Sequence, residues 1–142
     1  MSVIVDASVA AKWLLSEPDS ERALALLGEW SEGRLDGLAP AILPAEVAST
    51  LWKRAIRGLI PVQTAELLFE KFSNLRFPLE PIEDSIATAF ELALRYRHPV
   101  YDCLYAALAL RKRWEIVTAD ERFFNAFHSL MGRQVRLLRD WG

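Results

Sequence analysis

Residues 3–11 read Val-Ile-Val-Asp-Ala-Ser-Val-Ala-Ala, which is a β-branched run followed by an acid and an alanine-rich segment. The β-branched run predicts a short buried strand, and the apolar spacing of residues 7–14 predicts a helix directly after it. The chain is therefore expected to begin with a β-α unit, with Asp6 at the junction where the strand ends.

Further short strands alternate with helices along the rest of the chain. Strands are predicted at 38–39, 115–118 and 135–138, with at best a short extended segment at 77–82. Helices are predicted between them, at 18–33, 42–57, 61–75, 83–97, 102–113 and 121–130. This alternation is typical of a parallel sheet with right-handed crossovers and helices on both faces. The 142 residues are the usual length of one domain, so we expect a single α/β domain over residues 1–142.

The composition excludes several classes of protein. The 17 basic and 19 acidic residues give a net charge of -2, without the basic excess of proteins that coat nucleic acid. A single cysteine excludes an internal disulfide, and two histidines are too few for a Cys/His zinc cluster. The sequence contains no P-loop, dinucleotide-binding or G-x-S-x-G motif. The N-terminus lacks the basic segment of a signal peptide, and no uncharged stretch reaches the ~18 residues that span a bilayer, so we expect a soluble cytoplasmic protein.

Four acids stand alone in apolar surroundings. Asp6 is the only charge in residues 1–11, Glu46 the only one in 37–52 and Asp102 the only one in 98–110, while Asp120 ends another apolar run. A carboxylate in core-like sequence is costly to bury unless it is paired, hydrogen-bonded or bound to a metal. Because acids that follow parallel strands emerge at the carboxyl edge of a sheet, we predict that the four share one site there.

Carboxylates this close together repel one another and cannot all stay ionised without a cation. A cluster of carboxylate oxygens suits Mg²⁺ or Mn²⁺. Each acid also has a simpler interpretation: Asp6 and Asp120 fit helix N-caps, and Asp102 fits a first-turn partner of the helix dipole. Glu46 fits a solvated position paired with Lys53 or Thr50.

Four segments resemble the motifs of PIN-domain ribonucleases. In chain order they are residues 3–8, 44–47, 101–109 and 118–123. Their order, their spacing and the total length are similar to those of the VapC-type toxins of bacterial and archaeal toxin-antitoxin pairs. The most specific segments are the third, Y-D-x-x-Y-A-A-L-A, and the fourth, T-A-D-x-x-F.

The resemblance implies a PIN-like three-layer sandwich whose parallel sheet has about five strands. It implies an endoribonuclease that depends on Mg²⁺ or Mn²⁺, a small cognate antitoxin that inhibits it, and a homodimer. Asp6 and Asp102 would be the primary metal ligands. Asp120 would be a second ligand or a ligand of a second ion, and Glu46 would orient a water or bind the ion through water. Such proteins place supporting hydroxyls at two positions that are here Ser8 and Thr118.

Many relatives carry a further acid shortly after the last motif aspartate. Here the neighbours of that aspartate are Glu121 and Asn125, so the resemblance leaves the number of ions, one or two, open.

Two groups of basic residues are candidates for gripping RNA phosphates. Lys53 and Arg57 share a helix stripe with Glu46, whereas residues 111–113, Arg-Lys-Arg, equally fit the solvated end of a helix. Leaving out the four candidate site acids leaves 15 acidic against 17 basic residues, so the net charge does not oppose an RNA partner.

Two other functions are compatible with parts of the sequence. An Asp-nucleophile phosphatase would use Asp6 to accept the phosphoryl group, but that class has a second aspartate where this chain has Ser8. A non-catalytic RNA- or protein-binding module with the same fold is disfavoured because all four acids are present.

Overall fold

A computed structural model describes residues 1–142 and contains one five-stranded sheet. The strands are β1 (Ser2–Val5), β2 (Asp36–Pro40), β3 (Leu79–Glu80), β4 (Glu115–Thr118) and β5 (Val135–Leu137). Their order is β3-β2-β1-β4-β5, and every neighbouring pair is parallel. The predicted five-stranded parallel sheet is confirmed.

Seven α-helices connect the strands. They are α1 (Ala7–Ala10), α2 (Ser20–Ser31), α3 (Leu43–Ile56), α4 (Val62–Leu75), α5 (Ile86–Tyr96), α6 (Val100–Lys112) and α7 (Glu121–Met131). Short 3-10 turns follow α1 at Ala11–Trp13 and precede α5 at Glu83–Ser85. No helix combines the length and the apolar character needed to cross a bilayer.

The helix predicted at 102–113 begins two residues earlier, at Val100, because Pro99 occupies its N-cap position. Proline suits the start of a helix since its fixed φ is helix-compatible and its missing N–H would have no partner there. The earlier start places Asp102 inside the first turn of α6.

The central strand is buried on both faces. Val3, Ile4 and Val5 are each 0% exposed, and consecutive strand residues point to opposite sides of a sheet. The helix α6 packs against β1, β2 and β4, and its residues from Cys103 to Ala109 are buried on every side. Both faces of the sheet are therefore covered, as the apolar strands predict.

The strand order reverses next to β1. The chain runs from β1 to β2 and β3 on one side, and then returns to place β4 and β5 on the other. Sheets of this kind bind ligands at the carboxyl ends of the strands where the order reverses. Val5 lies in register with Val117, so Asp6 and Thr118 emerge side by side at that point.

A close contact under β2 gives a test of the packing. A Cβ on Gly37 would lie 2.7 Å from the ring of Phe77 and 3.1 Å from Trp30. We expect Gly37→Ala to lower the free energy of unfolding by about 1–3 kcal/mol, because the two rings must shift. A Cβ on Gly28 in α2 would meet no atom within 4 Å, so Gly28→Ala is expected to stabilise the helix by about 0.5–1 kcal/mol. Urea unfolding measures both, and equal effects of the two variants would contradict the packing.

Candidate active site

The four predicted acids line one cavity of about 720 Å³ at the carboxyl edge of the sheet. They come from separate parts of the chain: the end of β1 for Asp6, the first turn of α3 for Glu46, the first turn of α6 for Asp102, and the residues after β4 for Asp120. The structure therefore brings together the residues that the sequence predicted to share a site.

Asp6 is held by two hydroxyl groups from opposite sides of the strand junction. The Oγ of Ser8 donates to Asp6 Oδ2 at 2.5 Å, and the Oγ1 of Thr118 donates to the same oxygen at 2.9 Å. The two hydroxyls in turn accept backbone N–H groups, from Ala119 at 2.9 Å and from Asp120 at 3.0 Å. This network joins the end of β1 to the loop after β4 and leaves Asp6 Oδ1 available to a ligand in the cavity.

The alternative role of Asp6 as a helix cap is wrong for its side chain. Asp6 stands at the N-cap position of α1, but its carboxylate makes no capping hydrogen bond because both hydroxyls engage it instead. Burial raises the pKa of Asp6 from 3.8 to about 6; the hydroxyls of Ser8 and Thr118 oppose this shift, and the charges of Asp102 and Asp120 add to it.

Asp120 both caps a helix and lines the cavity. Its Oδ1 accepts the backbone N–H groups of Arg122 at 2.9 Å and Phe123 at 3.4 Å, which caps α7. The capping interpretation of Asp120 is thus confirmed, and the residue belongs to the cavity lining at the same time.

Asp102 is paired with a histidine that none of the sequence motifs singles out. His98 Nε2 lies 2.9 Å from Asp102 Oδ2, and the imidazole packs edge-on against Phe123 and Phe127. Burial raises the pKa of Asp102, and His98 opposes that shift. The two phenyl rings restrict the His98 imidazole, and its hydrogen bond to Asp102 in turn restricts the position of that carboxylate. His98 lies just before the N-cap Pro99 of α6, so the two residues are close in the chain but do not share a helix face.

Glu46 lines the cavity as predicted, so the alternative of a solvated carboxylate paired with Lys53 or Thr50 is wrong. No ion pair joins Glu46 to Lys53, and the hydroxyl of Thr50 donates to the backbone carbonyl of Glu46 rather than to the carboxylate. Burial raises the pKa of Glu46 to about 7, and the charges of Asp6 and Asp102 add to the effect. Glu46 is therefore a candidate to exchange protons near neutral pH.

Tyr105 belongs to the third motif, but no role was predicted for it, and it lies behind Glu46 rather than in the cavity lining. Its phenol is close enough to Glu46 to lower the pKa of that carboxyl, but neither Glu46 Oε1 nor the Tyr105 hydroxyl forms a hydrogen bond of acceptable geometry. Burial and the neighbouring charges of Asp6 and Glu46 raise the pKa of Tyr105, so the phenol stays protonated. A buried oxygen without a partner usually marks a place where a ligand, water or ion belongs.

The donor set fits a hard divalent cation. Carboxylate and hydroxyl oxygens are the ligands that Mg²⁺ and Mn²⁺ prefer, and a positive charge would offset the burial of Asp6 and Glu46. No three His, Cys, Asp or Glu side chains are close enough together to form a complete ligand set. Mg²⁺ does not require one, because it keeps several waters and binds proteins through one or two carboxylates.

The predicted RNA-contacting residues separate into two groups. Lys53 lines the cavity, whereas Arg57 is the exposed C-cap of α3 and lies outside it. Residues 111–113 also lie outside the cavity: Arg111 contacts Ser85 and Lys112 pairs with Glu80. Of these basic candidates, only Lys53 is in a position to meet a ligand held by the four acids.

Comparison with known proteins gives this arrangement a family. The family model described as PIN domain matches residues 3–127. The chain belongs to the PIN domain family. This PIN domain is 33% identical over 135 residues to Ribonuclease VapC3 of Pyrobaculum aerophilum, which covers 92% of this chain and 98% of the relative. The resemblance to VapC-type PIN proteins is thereby confirmed.

A solved structure supports the fold. The crystal structure of PAE2754 from Pyrobaculum aerophilum superposes on this PIN domain with a TM-score of 0.69 at 20% identity. The match covers 89% of this chain and 79% of that one. At this identity the likeness concerns the fold.

The role of Thr118 leads to a first prediction for the site. We expect Thr118→Val to raise the pKa of Asp6 above about 6, because one hydroxyl no longer stabilises the carboxylate. The variant also removes the acceptor of the Asp120 N–H, which costs about 1–3 kcal/mol of stability. Carboxyl ¹³C titration by NMR and urea unfolding measure the two effects. Thr118→Ser keeps the hydroxyl and serves as the control; a wild-type pKa of Asp6 in Thr118→Val would contradict the network.

The buried charge of Asp6 predicts how stability depends on pH without divalent cations. The pKa of Asp6 is about 6 in the folded protein against an ordinary value of 3.8, so the folded state binds more protons between these values. The stability from Asp6 is therefore fully present below pH 3.8 and is lost as the pH rises through about 6.

Asp6→Asn removes this proton linkage. Relative to wild type in EDTA, we expect the variant to gain on the order of 2–3 kcal/mol in free energy of unfolding between about pH 4 and pH 8. Urea unfolding across that range measures it, with the exposed Asp84→Asn as the matched control. If the difference in free energy of unfolding between Asp6→Asn and wild type does not change with pH, the pKa of Asp6 is not raised by folding.

Proposed function

We propose that this PIN domain is a metal-dependent endoribonuclease of the VapC toxin type. The observation that carries the proposal is the convergence of four carboxylates from separate elements on one cavity, none of which forms an ion pair with a lysine or arginine. His98 is the only ion-pair partner of any of the four. The similarity to a protein named Ribonuclease VapC3 over nearly the full length of both chains supports the same activity.

In this proposal Asp6 and Asp102 would hold Mg²⁺ or Mn²⁺ directly, and Asp120 and Glu46 would act as further ligands or through water. The chemistry that such an ion supplies when bound is activation of a water and neutralisation of charge on the attacked phosphate. Ser8 and Thr118 keep Asp6 in place, and His98 does the same for Asp102. The side chains that would bind the ion are thus held by neighbours before it arrives.

The reaction is hydrolysis of an RNA phosphodiester bond. The oxygen of water bonds to phosphorus, the bond from phosphorus to the 3′ oxygen breaks, and that oxygen takes up a proton. Glu46 lines the cavity with Asp6 and Asp102, where it orients the water and accepts the proton that the water loses. Lys53 at the cavity wall meets a phosphate of the RNA.

The proposal includes two protein partners, a small antitoxin that covers the cavity and a second copy of the chain. Two apolar stripes that are open to solvent support such contacts. One lies on α5 and comprises Ile86, Phe90 and Leu94, and the other includes Trp52 and Ile56 of α3. Contiguous exposed apolar patches of this kind mark protein interfaces. We place the protein as a single domain in the cytoplasm, where its RNA substrate is found.

An Asp-nucleophile phosphatase has no support from the site. Such an enzyme needs Asp6 free to attack phosphorus, with a second aspartate at position 8. Here the residue at position 8 is a serine, and its hydroxyl donates to Asp6 at 2.5 Å.

Cleavage of RNA tests the proposal. We expect purified protein to cut RNA in Mg²⁺ or Mn²⁺ and to stop in EDTA. Asp6→Asn and Asp102→Asn are expected to lower the cleavage rate by about 100-fold or more, because each removes a charged oxygen ligand. Sequencing of the RNA ends produced by wild type and by Asp6→Asn measures the activity. The ends that appear only with wild type identify the cleaved RNA.

The exposed Asp84→Asn is the matched control and is expected to cleave like wild type. Circular dichroism establishes that all three variants are folded. Full cleavage by both Asp6→Asn and Asp102→Asn, or undiminished cleavage in EDTA, would contradict the proposed mechanism.

A further inference from the structure

Lys12 lies in the cavity wall, although the sequence patterns do not point to it. It belongs to the 3-10 turn Ala11–Trp13 that follows α1, and it lines the same cavity as the four acids. Only 13% of its side chain is exposed. Its position is therefore set by packing, unlike that of the exposed Lys53.

The charge of Lys12 is only partly offset. Its ion-pair partner is Glu17, whose Oε1 lies 3.6 Å from Lys12 Nζ. That separation exceeds the 2.7–3.2 Å of an N–H···O hydrogen bond. Glu17 also pairs with Arg54 of α3, so one carboxylate serves two cations. Lys12 thus keeps donor capacity and positive charge for a ligand.

A second cavity, of about 170 Å³, continues past Lys12 along the carboxyl edge of the sheet. It is bounded by the end of β5 at Leu137, by Asp19 and by the ion pair of Arg139 with Glu121. It shares Lys12 and Ala119 with the first cavity, and Lys12 is the cation of its lining that pairs with no acid of that lining. Lys12 therefore stands where the two cavities meet, on a path that leads from the acids toward β5.

We propose that Lys12 binds a backbone phosphate of single-stranded RNA where the two cavities meet, and so directs the strand from the acidic cavity toward β5. This inference rests on the proposed function, because it assigns a substrate contact in the same site. A cavity lined by four site acids repels a polyanion, so the strand needs cations fixed beside those acids. Lys12 meets this need at low entropic cost because packing already orders its side chain.

The salt dependence of RNA binding tests the contact without catalysis. The probe is a fluorescein-labelled single-stranded RNA of mixed sequence, titrated with full-length protein in EDTA at several NaCl concentrations. We expect Lys12→Gln to weaken binding about tenfold at low salt. The slope of log affinity against log salt becomes shallower by about 0.7, the value for one phosphate contact on a single strand. In Mg²⁺ the same variant raises KM more than it lowers kcat.

Three variants separate a phosphate contact from a structural ion pair. Glu17→Gln breaks the pair but keeps the lysine, so we expect it to keep the wild-type slope, whereas a structural role predicts the same loss as in Lys12→Gln. Lys12→Arg keeps the charge and the slope. Lys71→Gln removes an exposed lysine of α4 outside both cavities and leaves the slope unchanged. Thermal unfolding checks each fold, and Lys12→Met replaces Lys12→Gln if that variant unfolds.

A wild-type slope in Lys12→Gln, an equal loss in Glu17→Gln, or no RNA binding by the wild type overturns the inference. Failure of the proposed function looks different. A slope that depends on Lys12 without any cleavage in Mg²⁺ or Mn²⁺ refutes the nuclease and leaves the phosphate contact standing. If the protein cleaves RNA but Lys12→Gln has the wild-type salt slope, the nuclease stands and the phosphate contact of Lys12 is refuted.

Discussion

The structure depends on a carboxylate that is buried at the end of its central strand. Asp6 is 6% exposed, and burial in an apolar core penalises its charge. Two hydroxyls, from Ser8 and Thr118, make that burial tolerable by donating to one carboxylate oxygen. Both hydroxyls also accept backbone N–H groups beyond β4, so stabilisation of the charge and connection of the two strand ends are the same interaction.

The remaining acids reach this point because of the sheet order. The reversal of strand order beside β1 opens a cavity at the carboxyl ends of β1 and β4, and helices α3 and α6 enter it with their first turns. Each acid has one support of its own: a helix cap for Asp120, an imidazole for Asp102, and proximity to a buried phenol for Glu46. Burial raises the pKa values of Asp6, Glu46 and Asp102, and carboxyls perturbed in this way cluster at functional sites.

Much of this was predictable along the chain. Apolar runs that end in a lone acid mark both a buried strand and the charge at its end, because burial makes each such acid expensive. Helix starts were predicted within two or three residues: α6 begins earlier, directly after Pro99, and α5 begins later because residues 83–85 form a 3-10 turn. Glu46, Lys53 and Arg57 were predicted to share one stripe of α3. The cavity lining extends along this stripe as far as Lys53 and leaves Arg57 outside.

The order of apolar and charged residues by itself decides the α/β alternation, the parallel sheet and the identity of the four acids, because these follow from burial cost and periodicity within single segments. Tertiary structure alone decides which neighbours those acids meet. His98, Tyr105 and Lys12 look like a helix-end residue, a core aromatic and a surface cation in sequence. His98 contacts an acid four residues along the chain. Tyr105 meets Glu46, and Lys12 meets the cavity of the four acids, because the fold brings separate segments together, where charge, hydrogen bonding and desolvation act together.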